Sequence, residues 1–321
     1  MNRQARDALG AVTVEGRSYS KAVAAVVGNR KAREDWYRKV VSEPLRIAPV
    51  AVPPVLAELG RSLGRTYAAV GADQLEACTT EGEAAARRMV SSAAAAIRLM
   101  EHVTGTPRPP ERSGALRFWQ VGDADAAEWV VRTLPAPSLD EAIADVRKYV
   151  STGIAPGTIL IRGSDPSASE ESAVLYAADR IVSRVTNDDS EWLSEGLLML
   201  AKLRTAGRAT RFYGAKGATS GAREMGAGGR VQWLDQVRRL AETDTDPPIA
   251  ALPGRPLSAL TSAEVSKTWS VLEYLIERDP GGACEFITSA RGDVADALRT
   301  SVGGTPDELE EAHRAWVLES R

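Results

Sequence analysis

The segment that most constrains this chain is residues 190–205, SEWLSEGLLMLAKLRT. At helical spacing its leucines and Met199 cover nearly the whole circumference, and a helix that is apolar all round is buried in protein. Glu195 lies one turn into this predicted helix. A buried carboxylate needs a cationic or metal partner or else takes up a proton, although an acid in a first turn can also simply offset the helix dipole. Glu195 is therefore the first candidate site residue, with a functional and a structural interpretation.

Composition places the chain among ordinary globular proteins. It has 321 residues, of which 44% are hydrophobic and 26% charged, with a formal net charge of -3. The longest uncharged apolar stretch, Met89 to Ile97, falls far short of the ~20 residues that span a bilayer, so no membrane span is predicted. The first residues carry no apolar export signal, which predicts a cytoplasmic protein if the chain as given is complete. Cys78 and Cys284 could form at most one disulfide.

Periodicity predicts a small mixed sheet followed by a helical lobe, an α+β and predominantly α fold with no βαβ repeat. We expect an N-terminal helical appendage and Pro-rich connector at 1–63, in which residues 18–43 are helical, and a main domain at 64–321 with a sheet-containing lobe (64–189) and a helical lobe (190–321). Strands are predicted at 65–70, 115–121 and 157–162, and helices at 80–103, 123–132, 138–149, 168–185, 190–205, 229–242, 262–278, 292–300 and 305–319.

Five segments carry a resemblance to a known family. Thr80 to Val121 is similar to its long helix and the strand that follows, and Gly153 to Arg162 to the strand before its active helix. Trp192-Leu193-Ser194-Glu195-Gly196-Leu197 resembles a segment of the peptidase MA-like metallopeptidases, gluzincins that include the DUF1570 domains, in which the Glu is the third zinc ligand. Lys267 to Leu275 is similar to the family's downstream Trp-containing helix, and Gly303 to Val317 to its closing helix. The resemblance covers about 64–318 and implies a gluzincin fold, that is, a thermolysin-like one.

The departures from the family bear on function. Gluzincins place two histidines and a general base on one helix as H-E-x-x-H, because an i, i+4 pair directs both imidazoles to one metal. This chain has two histidines in all, His102 and His313, and Tyr176-Ala177-Ala178-Asp179-Arg180 stands where the motif should be. Val265 replaces a tyrosine that the resemblance implies. Only Glu195 remains of the ligand set, so we predict no zinc, no other cofactor and no peptidase activity.

A polar face on the preceding helix could take the place of the metal. At 3.6-residue spacing Tyr176, Asp179 and Arg180 lie opposite an apolar face that contains Val174 and Ile181. We hypothesise that these three residues and Glu195 line a vestigial cleft, and that the guanidinium of Arg180 pairs with Glu195. Lys202 is a further candidate partner for Glu195. The alternative is that Asp179 and Arg180 are solvated surface residues.

Three functions are compatible with this pattern. The first is a pseudopeptidase that binds a peptide or protein partner in the old cleft, or whose cleft is filled in. The second is a hydrolase or another enzyme that uses Asp179 and Glu195 as acid and base. The third is a polyanion binder through 202–230, where seven basic residues face one acidic residue. Its candidate anion ligands are Arg208, Arg211, Lys216, Arg223 and Arg230. The loop lacks a nucleotide-binding GxxxxGK[ST] pattern, and a solvated loop without nucleic acid is the simpler expectation.

Overall fold

A computed structural model of the chain describes residues 34–109, 114–134, 138–186, 190–210, 229–256, 259–290 and 294–319, and the backbone of 11–14 and 17–20. The chain divides into two compact units. The sheet unit comprises Val41–Arg98 and Pro107–Ile181, and the helical unit comprises Met1–Val40, Leu99–Thr106 and Val182–Arg321. The structure is α+β and mostly helical, as the sequence predicts. The division differs from the predicted domains because 41–63 cluster with the sheet rather than with residues 1–40.

The sheet unit is built on a mixed six-stranded sheet with the order β3-β4-β5-β6-β8-β7. Its strands are β3 (Ala48–Pro49), β4 (Ala68–Ala72), β5 (Leu75–Thr79), β6 (Leu116–Val121), β7 (Ser151–Ala155) and β8 (Thr158–Arg162). β5, β6 and β8 are parallel neighbours, whereas β3, β4 and β7 pair antiparallel. Strand β7 lies at one edge of this sheet.

The helices of this part of the chain lie between successive strands, except the last, which follows β8. They are α2 (Pro54–Leu63), α3 (Glu83–Thr104), α4 (Ala124–Thr133), α5 (Leu139–Lys148) and α6 (Pro166–Val185). Helix α3 connects β5 to the parallel strand β6. The sequence did not predict β5, because its five residues, LEACT, are too few to show a clear alternation beside the long Ala-rich helix.

Helix α2 was also missed, because its proline cluster was interpreted as a connector. Pro54 occupies the first turn, where a proline costs no intrahelical hydrogen bond, and Gly64 ends the helix at a φ of 62°. Leu56 and Leu59 are buried in the hydrophobic cluster that also contains Trp119 and Val130. The segment is therefore part of the core of the sheet unit.

The helical unit contains a helix over 34–41, α1, and the helices that follow α6. These are α7 (Glu191–Ala201), which continues as a π-helix (Lys202–Ala206), α8 (Arg230–Glu242), the 3₁₀ turn Ile249–Ala251, α9 (Ser262–Arg278), α10 (Pro280–Ser289), α11 (Val294–Ser301) and α12 (Pro306–Glu319). Trp192, Trp233, Trp269 and Trp316 are among its largest fully buried side chains. These large aromatic side chains anchor the core of the unit.

The N-terminal helix prediction was wrong at its start. Strand β2 (Arg17–Ser20) pairs antiparallel with β1 (Ala11–Val14), with Val14 opposite Arg17 and Ala11 opposite Ser20. The two strands are separated by Glu15-Gly16, a dipeptide with a turn-forming glycine that favours a hairpin over a continuous helix. The described helix α1 covers only 34–41 of the predicted 18–43.

Helix α7 packs closely against α9 through a glycine. A Cβ atom at Gly196 would overlap the Cγ2 of Thr268 and lie 2.9 Å from the Cδ1 of Leu272. Both helices are buried along this contact. The absence of a side chain at position 196 therefore sets how near the two helix backbones approach.

Gly196→Ala is expected to lower the free energy of unfolding by about 1–3 kcal/mol, because overpacking displaces Thr268 and Leu272. The gain in helix propensity, about 1 kcal/mol at most, only partly offsets this. Denaturant titration measures the loss. Adding Thr268→Ser, which removes the overlapping methyl group and keeps a hydroxyl, should restore much of it. A Gly196→Ala protein as stable as the native one would contradict this packing.

Candidate functional site

The polar face predicted on residues 171–185 exists on α6. Val174, Ala178 and Ile181 are fully buried on one face, while Tyr176, Asp179 and Arg180 are half-buried. The amphipathic pattern is thereby confirmed, because the 3.6-residue period separates the two sets in the folded helix. The three polar residues belong to the sheet unit.

Tyr176 is fixed to the edge of the sheet. Its hydroxyl donates a hydrogen bond of 3.0 Å to the main-chain carbonyl of Ser151, the first residue of β7. The sequence could not predict this contact, because β7 was not recognised as a strand: its STGIA sequence is short and contains a glycine. The Tyr176 side chain thus satisfies a backbone acceptor of the edge strand.

Asp179 is the carboxylate of this face. Burial raises the pKa of Asp179 above its ordinary value, and the neighbouring charge of Arg180 opposes that rise. A carboxyl group whose pKa is raised holds its proton at higher pH than an exposed aspartate does. Such a group could serve as a general acid if a substrate reached it.

Glu195 lies in the first turns of α7 and its side chain is 0% exposed. The prediction that this helix is buried all round is confirmed, since Trp192, Leu193, Leu197 and Leu200 are fully buried. Glu195 belongs to the helical unit and Arg180 to the sheet unit, so their pairing stays a prediction. Lys202, the other suggested partner, is 1% exposed and begins the π-helical turns that follow α7.

Neither His102 nor His313 is close in sequence to residues 176–202. His313 on α12 is buried, and its Nε2 lies 2.9 Å from the hydroxyl of Ser270 on α9. Burial lowers the pKa of His313 well below its ordinary value, and the charge of Lys267 lowers it further. His102 is exposed in the last turn of α3, and its ring lies edge-on to Trp36 at 6.0 Å.

The donor set does not fit a zinc ion. A phenol and a guanidinium stand at 176 and 180, the two positions where the resemblance implies imidazoles, and a guanidinium has no lone pair to donate. Among the residues that the structure describes, no group of three or more His, Cys, Asp or Glu side chains is placed to hold a metal. Cys78 and Cys284 are free thiols.

A buried ionic cluster in the helical unit was missed by the sequence prediction. Glu273 on α9, 0% exposed, accepts hydrogen bonds from both Nε (2.9 Å) and Nη2 of Arg204, whose side chain is 6% exposed. Arg230 binds the same carboxylate at 3.1 Å. Glu34 on α1 pairs with Arg204 at 2.8 Å and with Arg230 at 3.2 Å. The guanidinium of Arg204 also stacks 3.9 Å above the ring of Tyr37.

The electrostatics of this cluster favour the ionised form of Glu273. Burial by itself raises the pKa of Glu273, but the charges of Arg204 and Arg230 outweigh it and bring the pKa to about 2. Burial raises the pKa of Tyr37, and the negative charge of Glu273 adds to the rise. Arg204 and Arg230 are therefore held by internal carboxylates, which limits what they can offer to an outside ligand.

A second buried charge lies nearer the N-terminal end of α9. Lys267, 1% exposed, pairs with Asp246 at 2.6 Å and with Glu310 on α12. With Ser270, Glu273 and Glu277 it forms a polar stripe at spacings of three and four residues inside a fully buried stretch. The sequence spacing of these residues could have indicated buried ion pairs, because polar side chains on the inner face of an otherwise apolar helix require partners.

The predicted anion loop is only partly described. Arg208 forms an isolated antiparallel bridge with Gly229, and Arg230 begins α8. Arg211, Lys216 and Arg223 lie outside the described residues. The engagement of Arg230 by Glu273 and Glu34 removes one of the five proposed ligands from a free basic surface. Polyanion binding by the remaining residues stays a prediction.

Comparison with known proteins gives no match: no protein-family model, curated protein or solved structure matches the chain. Within the described ranges, none of the helices is long and apolar enough to cross a bilayer.

Proposed function

We propose that this chain is a gluzincin-like domain that has lost its metal and does not cleave peptides, and that it acts as a binding or structural module. The observation that carries the proposal is the hydrogen bond from Tyr176 to Ser151. It gives the residue at the first-histidine position a role in holding α6 to the sheet edge. Hydrolysis of a peptide by a gluzincin needs a metal-bound water and a base beside it, and the side chains at 176, 177 and 180 supply neither.

The proposal also specifies how the edge strand can be used. An exposed sheet edge can add an extended peptide through main-chain hydrogen bonds, and β7 occupies one edge of the sheet. Because Ser151 already accepts a bond from Tyr176, a peptide partner would have to use the remaining part of the strand, Thr152 to Ala155. A short contact of this kind favours a weak, regulated interaction over tight capture of a substrate.

Metal content tests the proposal. Protein purified without chelator should contain far less than one zinc per chain and should digest an unstructured casein substrate no faster than buffer does. The double substitution Tyr176→His and Arg180→His installs an i, i+4 pair on the α6 face. If the scaffold is that of a gluzincin, the double variant should bind one zinc, and adding Glu195→Gln should weaken that binding.

Two results would count against this proposal in different ways. Stoichiometric zinc in the native protein would show that the chain has kept a metal site. A folded double variant without zinc affinity would show that 176–180 and Glu195 do not face a common site, so the gluzincin assignment itself would be wrong.

The second candidate function is an enzyme that uses Asp179 as a general acid, and the raised pKa of this residue favours it. Such an activity would be lost in Asp179→Asn, and in the native protein it would fall as the pH rises, at a higher pH than an exposed aspartate gives. Exposed Asp140 on α5 offers the control, Asp140→Asn, which should leave any activity unchanged.

A further inference from the structure

A polar cleft in the sheet unit is not used by the proposed function. It has a volume of about 530 Å³ and is lined by Arg65, Thr66, Thr80, Glu81, Gly122 and Ser164. Three of these residues come just after the ends of the parallel strands. Thr80 and Gly122 immediately follow β5 and β6, and Ser164 lies two residues beyond β8. The cleft thus opens at the carboxyl ends of parallel strands, where open α/β sheets commonly bind ligands. Its size is within the range of small-molecule sites.

We propose that this cleft binds a small zwitterion, an amino acid whose carboxylate is held by Arg65 and whose ammonium group is held by Glu81. Arg65 and Glu81 line the cleft together with Thr66, Thr80 and Ser164. A guanidinium recognises a carboxylate through two parallel hydrogen bonds. The hydroxyls can donate or accept, and so can serve either end of such a ligand.

The guanidinium of Arg65 lies against Gly122. A Cβ atom at Gly122 would overlap the Nη1 of Arg65, so the guanidinium lies directly against the glycine backbone. Among the residues that the structure describes, no carboxylate is recorded within salt-bridge distance of Arg65, in contrast to Arg117, which pairs with Glu76 at 3.1 Å. The absence of a side chain at position 122 therefore leaves room for the guanidinium of Arg65, and the hydrogen-bonding edge of this guanidinium is available to a ligand.

The charges around the cleft select a zwitterion over a phosphate. Glu81 lines it, and Asp123 and Asp165 directly follow Gly122 and Ser164. Asp123 accepts a hydrogen bond of 2.8 Å from the main-chain N–H of Ala126, and Asp165 one of 2.9 Å from Ser167. The Glu81 carboxylate in the cleft lining repels a dianion, whereas a ligand with no net charge can satisfy both Arg65 and Glu81.

A buried hydrogen-bond chain fixes the loops that form the cleft. The hydroxyl of Thr79 binds Oε1 of Gln120 and accepts a 2.9 Å bond from the N–H of Glu81. The amide Nε2 of Gln120 donates a 2.7 Å bond to the carbonyl of Gly163. Thr79 and Gln120 are 0% and 1% exposed. One buried amide therefore ties together the ends of all three parallel strands, and a pre-organised site loses less entropy on binding.

Ligand-observed NMR and calorimetry with the proteinogenic L-amino acids as probes test the proposal. At least one amino acid should bind, and its N-acetylated form and its decarboxylated amine should each bind about tenfold or more weakly, because each lacks one charged group. Arg65→Met and Glu81→Gln should weaken binding by about tenfold to a hundredfold. Arg61→Met, which removes an exposed arginine of α2 outside the cleft, is the matched control.

Several outcomes would overturn the zwitterion site. These are the absence of binding by every amino acid, affinity unchanged in Arg65→Met, and preferential binding of inorganic phosphate. Gly122→Ala provides an independent check, since it displaces the guanidinium without removing its charge and should also weaken binding. None of these results depends on zinc content or on Tyr176, so the two proposals succeed or fail separately.

Discussion

Replacing Glu273 by Gln is expected to lower the free energy of unfolding by about 3–5 kcal/mol, the cost of leaving a buried charge without its partner. The carboxylate is fully buried and is shared by Arg204 and Arg230. Arg204 is itself 6% exposed, so water cannot replace the lost anion. Glu34 remains as its partner but is 35% exposed and reaches only one side of the guanidinium. Denaturant titration followed by circular dichroism would measure the loss.

The decrease in the free energy of unfolding at low pH is a second measure of the effect of Glu273→Gln. The pKa of Glu273 is about 2 in the folded protein, against an ordinary value of 4.5. A depressed pKa of this kind contributes stability that is present above 4.5 and is lost as the pH falls toward 2. Glu273→Gln should therefore show a shallower loss of stability across that interval than the native protein.

An exposed ion pair supplies the control for Glu273. Asp296 and Arg299 pair at 3.2 Å with side chains 64% and 63% exposed. Asp296→Asn should change the free energy of unfolding by no more than about 0.5 kcal/mol, since solvent screens such pairs. Equal effects of the two substitutions would mean that the Glu273 cluster is not desolvated in solution.

Lys267→Met is expected to lower the free energy of unfolding by about 3 kcal/mol, because it leaves two carboxylates in a poorly solvated site. Asp246 is 7% exposed and retains only a 3.6 Å contact with Arg314. Glu310 is 28% exposed and keeps its 2.7 Å bond from the N–H of Ile249. These remaining contacts hold the expected loss below that for Glu273. Lys39→Met, at an exposed lysine of α1, should have almost no effect.

The same substitution should change the titration of His313. Burial lowers the pKa of His313 and Lys267 lowers it further, so removing the lysine should raise that pKa toward 6.5. A depressed histidine pKa gives stability that is complete above 6.5 and is lost as the pH falls below it. Lys267→Met should make that loss shallower. Because the chain has only two histidines, proton NMR can follow each ring, and an unchanged His313 titration would contradict this electrostatic coupling.

Most helices of this fold are predictable because their apolar periodicity is long. The predicted helices 80–103 and 262–278 correspond to Glu83–Thr104 and Ser262–Arg278. The short strands Leu75–Thr79 and Ser151–Ala155 have too few residues to show a period. Helix Pro54–Leu63 follows a cluster of prolines, which predicts a turn or connector. Its two buried leucines were too few to predict a helix against that pattern.

The ionic clusters were beyond prediction for a different reason. The partners of Glu273 lie 69 and 43 residues away along the chain, and Glu34 lies 170 residues from Arg204. No local period connects residues so far apart, so only the fold can bring them together. The stripe of polar positions on α9 indicated that partners must exist, but it could not identify them.

The contribution of α1 to the Glu273 cluster sets a practical limit on how the protein can be shortened. Glu34 pairs with both arginines and Tyr37 covers the guanidinium of Arg204. A version starting at the predicted boundary, residue 64, would uncover one side of Arg204 to water and remove a counter-charge. Fragments made for partner screening should therefore begin upstream of Glu34, or their altered solubility could be mistaken for a binding property of the rest of the molecule.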